Sequence, residues 1–163
     1  MKAALLFPGQ GAQEVGMGRD LIGRGDANAD DLVARASESA GIDVARLCRK
    51  GPARELTATE NLQPALAAVC LALWRRLFDA GARPVAVAGH SLGELPALAA
   101  AGAIEAGAVV ELAALRGRAM ADAAALQPGG MIAVTGLPVE EVLEFLASRD
   151  AGGVAAGAAI NAP

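Results

Sequence analysis

The pentad Gly89-His90-Ser91-Leu92-Gly93 is the stretch best equipped to do chemistry. A serine hydroxyl becomes a useful nucleophile when a sharp turn exposes it and nearby groups stabilise negative charge. Gly-x-Ser-x-Gly spacing achieves this when a strand enters the turn and a helix leaves it. Here Pro84 to Ala88 is a short apolar run rich in Val and Ala, and an Ala/Leu-rich helical pattern follows Leu92. The turn is expected to hold Ser91 at strained backbone angles. Gly89 and Gly93, lacking Cβ atoms, would let strand and helix close around it. The helix beginning near Leu92 would aim its N–H groups and positive dipole end at the hydroxyl. An ordinary serine in a Gly-rich turn has the same spacing; the strand–turn–helix context favours the nucleophile.

The other candidates are weaker when taken singly. Pro8-Gly9-Gln10-Gly11-Ala12-Gln13 reads either as a plain connecting loop or as a ligand loop at the carboxyl edge of a sheet. Its glycine spacing is not a dinucleotide fingerprint. Gln63 reads as a polar residue in the first turn of a helix in preference to a cleft-lining one. Arg116 and Arg118 are two positions apart, so they diverge on a helix, and each alone reads as a solvated surface arginine. His90 leaves the turn in a different direction from Ser91, which makes it a poor general base and a better packing or hydrogen-bonding neighbour.

The elements that must position these residues follow an α/β pattern. Lys2 to Phe7 is an unbroken apolar strand, suited to a parallel sheet covered on both faces. Gly23 to Asp31 reads as a turn and Leu32 to Ala40 as a helix stopped by Gly41. Asp43 caps a short helix to Cys48, stopped by Gly51-Pro52. A long helix spans Leu62 to Ala80, with an apolar stripe through Leu66, Val69, Cys70, Leu73 and Leu77 and with Trp74 as a packing residue. Another covers Glu105 to Leu126. After Pro128-Gly129-Gly130 the pattern becomes strand (Met131 to Thr135), helix (Pro138 to Ser148) and strand (Val154 to Ile160). These spans set two domains, 1–127 and 128–163.

Bulk properties narrow the class. With 163 residues and 54% hydrophobic content the chain can bury a core, and with 2% aromatics that core must be aliphatic. A net charge of -4 with scattered Lys and Arg excludes a nucleic-acid footprint. No apolar stretch reaches the roughly 20 residues of a membrane span, and the N-terminal apolar run is too short for a signal peptide. Cys48 and Cys70 lack motif spacing and read as reduced residues of a cytoplasmic protein.

In combination, Phe7 to Gln13, Gly89 to Glu94 and Leu115-Arg116-Gly117-Arg118-Ala119-Met120 resemble malonyl-CoA:acyl carrier protein transacylases, the acyltransferases of fatty acid and polyketide synthesis. Asn61-Leu62-Gln63-Pro64-Ala65-Leu66 and Ala101-Gly102-Ala103-Ile104 fit the same pattern, and the resemblance runs from Leu5 to the end. It implies an α/β-hydrolase-like acyltransferase domain with the start of an inserted ferredoxin-like subdomain. It implies Ser91 as the acylated nucleophile and the backbone amides of Gln10 and Leu92 as the oxyanion hole. Arg116 would bind the malonyl carboxylate, reversing its isolated reading, with Gln63 and His90 beside the substrate. The donor would be malonyl-CoA, the acceptor the phosphopantetheine thiol of an acyl carrier protein, and no metal or redox cofactor would be required. The family's general base is a downstream histidine, whereas His90 is the sole histidine here. The expectation is therefore the N-terminal portion of such an enzyme, weakly active or inactive alone and completed by a complementary C-terminal polypeptide. Rival expectations are a malonate decarboxylase acyltransferase subunit, a serine thioesterase or esterase, and an inactive partner-binding fragment.

Overall fold

The computed structural model describes residues 3–149 and 152–161. Lys2, at the start of the first expected strand, lies outside the described residues. Two compact units divide the chain, 1–128 and 129–163.

In the first unit, strand β1 (Ala4–Phe7) pairs in parallel with β2 (Ala86–Gly89), with Ala4 opposite Ala86 and Phe7 opposite Gly89. Between them run α1 (Ala27–Ala40), α2 (Val44–Lys50), α3 (Ala53–Thr57) and α4 (Thr59–Asp79). After β2 a one-turn 3-10 helix (Ser91–Gly93) leads into α5 (Glu94–Ala100), and α6 (Ala106–Leu126) closes the unit. Side chains alternate across a strand, and the burial follows: Phe7 is buried and Leu5 and Val87 pack on the core, whereas Ala4, Leu6, Ala86 and Ala88 are exposed. The sheet of this unit is thus covered on one face, not on both as the strand sequences suggest.

Helix α1 begins earlier than expected, at Ala27, because the Asp26 carboxylate accepts from the Ala29 N–H at 3.0 Å and caps the first turn. It ends at Gly41, whose φ of 70° lets its N–H reach the carbonyls of Ser37 and Glu38. Helix α4 departs from a simple stripe. Every residue from Leu62 to Ala72 is buried, since α1, α5 and α6 all pack on it. Alanines at 65, 67, 68 and 72 keep that helix slender enough to be surrounded. Leu73 and Leu77, expected in the core, are about half exposed beyond the point where the neighbours stop.

In residues 129–161 the one regular element among the described residues is α7 (Val139–Ala147), with no buried residue. The expected strands Met131 to Thr135 and Val154 to Ile160 do not form. Two strands and a short helix bury too little to hold a ladder, and Gly157 weakens the second run further. Among the described residues no helix is long and apolar enough to cross a membrane.

Cys48 and Cys70 are buried, and burial pushes each thiol from an ordinary 9.0 up to about 11. Both thiols should resist iodoacetamide near pH 8 and react once the chain is unfolded in urea. Above pH 9 the unfolded state releases protons that the folded chain keeps. Stability should therefore fall as pH rises from about 9 to about 11, by on the order of 2 kcal/mol per thiol, with no contribution below that window. Urea melts across this range, with Cys→Ala variants for comparison, check the sign.

Candidate functional site

The site grows from the crossover between β2 and α5. The chain turns so sharply after Gly89 that Ser91 takes φ 53°, the one positive φ at a non-glycine among the described residues. A side chain is held there at a cost of order 1–3 kcal/mol, which the surrounding packing must over-determine. That packing is tight. A Cβ on Gly89 would lie 2.0 Å from the Gly93 carbonyl oxygen, and one on Gly93 would lie 2.3 Å from the Phe7 carbonyl oxygen. A Cβ on Gly9 would meet the His90 carbonyl oxygen at 2.6 Å and its Nδ1 at 2.9 Å. The loop after β1 and the turn after β2 therefore interlock through Gly9 and Gly93, while Gly89 lets the turn close on itself. His90 extends the pairing, its N–H donating to the Phe7 carbonyl at 3.1 Å.

Helix α6 brings the cation. Its Gly117 lies so close to the first turn of α4 that a Cβ would sit 2.8 Å from the Thr59 carbonyl oxygen. This approach delivers the preceding residue, Arg116, to the serine. One guanidinium nitrogen donates to Ser91 Oγ at 3.1 Å and the other to Gln63 Oε1 at 2.6 Å. Gln63 is fully buried and uses its other end as well, donating from Nε2 to Thr59 Oγ1 at 2.8 Å and to Met120 Sδ at 3.1 Å. Thr59 in turn donates to Gln10 Oε1 at 3.3 Å.

The structure thus brings Ser91, Gln63 and Arg116 into direct contact, with the Gln10 side chain one hydroxyl away. Gln63 is not the first-turn polar residue its isolated sequence context favours: α4 already starts at Thr59, and Gln63 is fully buried. It is the acceptor that holds Arg116. Leu92 follows Ser91 in the 3-10 turn with its side chain buried, which anchors the turn. His90 is exposed, its ring against Gly9. Arg118 diverges from Arg116 as helix geometry demands and donates to the Ser39 carbonyl. A separate cavity lined by Asp31, Arg35, Glu38, Glu111 and Arg118 contains none of the residues around Ser91. Sequence reading missed Thr59 and Met120. The available signal was spacing: each lies one helical turn from a site residue, Thr59 before Gln63 and Met120 after Arg116.

The cluster sets a serine hydroxyl beside an arginine that a buried amide holds in place. The family model described as "Acyl transferase domain" matches residues 4–161. The chain belongs to the acyl transferase family. It is 37% identical over 161 residues to the malonyl CoA-acyl carrier protein transacylase of Salmonella typhimurium, covering 98% of this chain and 52% of that protein. It is 46% identical over 162 residues to the polyketide biosynthesis protein ThaF of Burkholderia thailandensis, covering 98% of this chain and 13% of that protein. The fold matches an acyl carrier protein S-malonyltransferase from Vibrio cholerae with TM-score 0.75 at 38% identity, over 90% of this chain and 48% of that one. It also matches a structure described as a type II PKS acyl-carrier protein in complex with its malonyl-transacylase, with TM-score 0.79 at 35% identity, over 94% of this chain and 50% of the other. The chain spans about half the length of these transacylases. Its parallel strands, serine turn and flanking helices are part of an α/β acyltransferase fold.

Proposed function

We propose that the full protein carrying these residues moves a malonyl group from coenzyme A to Ser91 and then to the phosphopantetheine thiol of an acyl carrier protein. What carries this reading is Arg116, its guanidinium gripped by Gln63 and 3.1 Å from Ser91 Oγ. In a malonyl-serine ester the free carboxylate carbon is three bonds from Oγ. A guanidinium beside Oγ is therefore within reach of it, and the planar fork suits a carboxylate.

In the first step Ser91 Oγ attacks the thioester carbonyl and gives up its proton to a base. The C–S bond breaks, and the coenzyme A thiolate leaves and takes up a proton. The second step repeats this with the carrier thiol as nucleophile and Ser91 as leaving group. We assign the oxyanion of each tetrahedral intermediate to the backbone amides of Gln10 and Leu92, because the two interlocked loops deliver both residues to the serine turn. We assign the base to an imidazole outside the 163 residues, since adjacent side chains leave so sharp a turn in different directions, which disfavours His90, and the matched transacylases are about twice as long. His90 then lines the substrate. The chemistry is acyl exchange throughout and calls for no metal or redox group.

Intact-mass measurement after mixing the full protein with malonyl-CoA tests the reading. The expected result is a single malonyl adduct on the Ser91 peptide, absent from Ser91→Ala, and discharged by addition of a carrier protein bearing phosphopantetheine. Labelling elsewhere, or none, would overturn it.

A further inference from the structure

We infer that Thr59 is a positioning residue that sets the sense of the Gln63 amide and, through it, the aim of Arg116. The inference rests on the malonyl-reading role proposed for Arg116 and extends it to a residue that touches neither the serine nor the acyl group.

An amide has one donating end and one accepting end, and an arginine only donates. Arg116 is therefore held only when Gln63 turns its oxygen toward it, as observed at 2.6 Å. The reversed amide would set NH2 against guanidinium. Two acceptors face the NH2 end of Gln63 in the observed sense, the Thr59 hydroxyl at 2.8 Å and the Met120 thioether at 3.1 Å. A thioether is a weak acceptor, so the hydroxyl does most to satisfy the buried amide. Thr59 has one proton, and it is directed to Gln10 Oε1 at 3.3 Å. With that proton engaged, the hydroxyl can only accept from Gln63. The two interactions at Thr59 are thus coupled, and together they allow one orientation of the amide. Gln63 is fully buried, so water cannot substitute for the lost partner.

The same hydroxyl joins two parts of the site that arise from different elements. Gln10 belongs to the loop after β1, and Arg116 to α6. Thr59, in the first turn of α4, stands between them, and Gly117 admits its backbone at close quarters. A change in the Gln10 loop can therefore reach the carboxylate reader through a single O–H group.

The test compares Thr59→Val, which keeps the shape and removes the hydroxyl, with Thr59→Ser, which keeps the hydroxyl, in the full protein. Loading of Ser91 from malonyl-CoA and from acetyl-CoA is measured for each. Thr59→Val is expected to lower kcat/KM for malonyl-CoA by roughly 10-fold more than for acetyl-CoA, chiefly through KM, as expected for one lost buried hydrogen bond. Thr59→Ser should restore the ratio to within about 2-fold, and Thr59→Val added to Arg116→Ala should not change the ratio further. Equal losses on both substrates, or an additive effect on top of Arg116→Ala, would overturn the inference. Side-chain NMR gives an independent reading: slow exchange of the Gln63 NH2 and Arg116 guanidinium protons should be lost in Thr59→Val and kept in Thr59→Ser. Retained protection in Thr59→Val sinks the positioning role even if loading is normal. A wild-type protein that takes up no malonyl group on Ser91 contradicts the functional reading instead, and the exchange data then decide the role of Thr59 alone.

Discussion

Arg116→Ala in the full protein should lower kcat/KM for malonyl loading of Ser91 by roughly 100-fold and shrink the preference for malonyl over acetyl by a similar factor. On the proposed reading, the guanidinium would supply charge-assisted hydrogen bonds to a carboxylate that acetyl does not possess. Its loss leaves the malonyl anion facing the buried Gln63 amide, while an acetyl group forfeits nothing comparable. Arg116→Lys should fall between. A lysine keeps the charge, but as a compact ammonium on a flexible stem it cannot reproduce the planar fork that spans Gln63 and Ser91. Parallel loading assays with malonyl-CoA and acetyl-CoA decide the point. Equal losses on the two donors would mark Arg116 as a structural residue that merely steadies the serine.

Gly89→Ala should destabilise the fold by about 3 kcal/mol, the upper range for overpacking. The added methyl would lie 2.0 Å from the Gly93 carbonyl oxygen and 2.4 Å from the Glu94 nitrogen. Both are backbone atoms, so no rotamer change relieves the overlap and the turn itself must open. Opening it would also release Ser91 from its positive φ. Gly130→Ala is the control, since nothing lies within 4 Å of its Cβ position. That change should stay within about 0.5 kcal/mol. Urea melts of the two variants beside the parent chain provide the measurement, and similar midpoints for both would contradict the close approach at the elbow.

How much of this was legible beforehand depends on the range of the forces involved. The serine turn was readable because its requirements are local: an apolar run, two glycines at fixed spacing and a helical pattern specify a strand–turn–helix without help from elsewhere. Helix α2 with Asp43 and the start of α6 at Glu105 were readable for the same reason, since caps act over three residues. Gln63 was misjudged because its environment is not local. It lies 53 positions from Arg116, and only the packing of α6 on α4 makes a buried amide preferable to an exposed one. Arg116 read as a surface residue in isolation, and a family resemblance was needed to reverse that. The strands expected in 131–135 and 154–160 failed in the opposite sense. The Ile, Val and Thr of 131–135 favour extended chain, but β-propensity has no effect without a partner and a buried face, and the Ala- and Gly-rich 154–160 has little of it to begin with. Thr59 carried no motif at all; its importance comes from one hydroxyl that donates to Gln10 and accepts from Gln63, two glutamines that belong to different elements.

The one-sided burial of the sheet has a practical meaning for anyone handling the 163-residue polypeptide. Leu6 is 73% and Val85 65% exposed, next to the bare methyl groups of Ala4, Ala86 and Ala88. Salts such as ammonium sulfate strengthen the tendency of apolar surface to leave water. A net charge of only -4 opposes association weakly, and less still once salt has screened it. The polypeptide should thus be salted out early, and dilute, low-salt buffers well above its isoelectric point of about 5.0 are the conditions in which it keeps to itself.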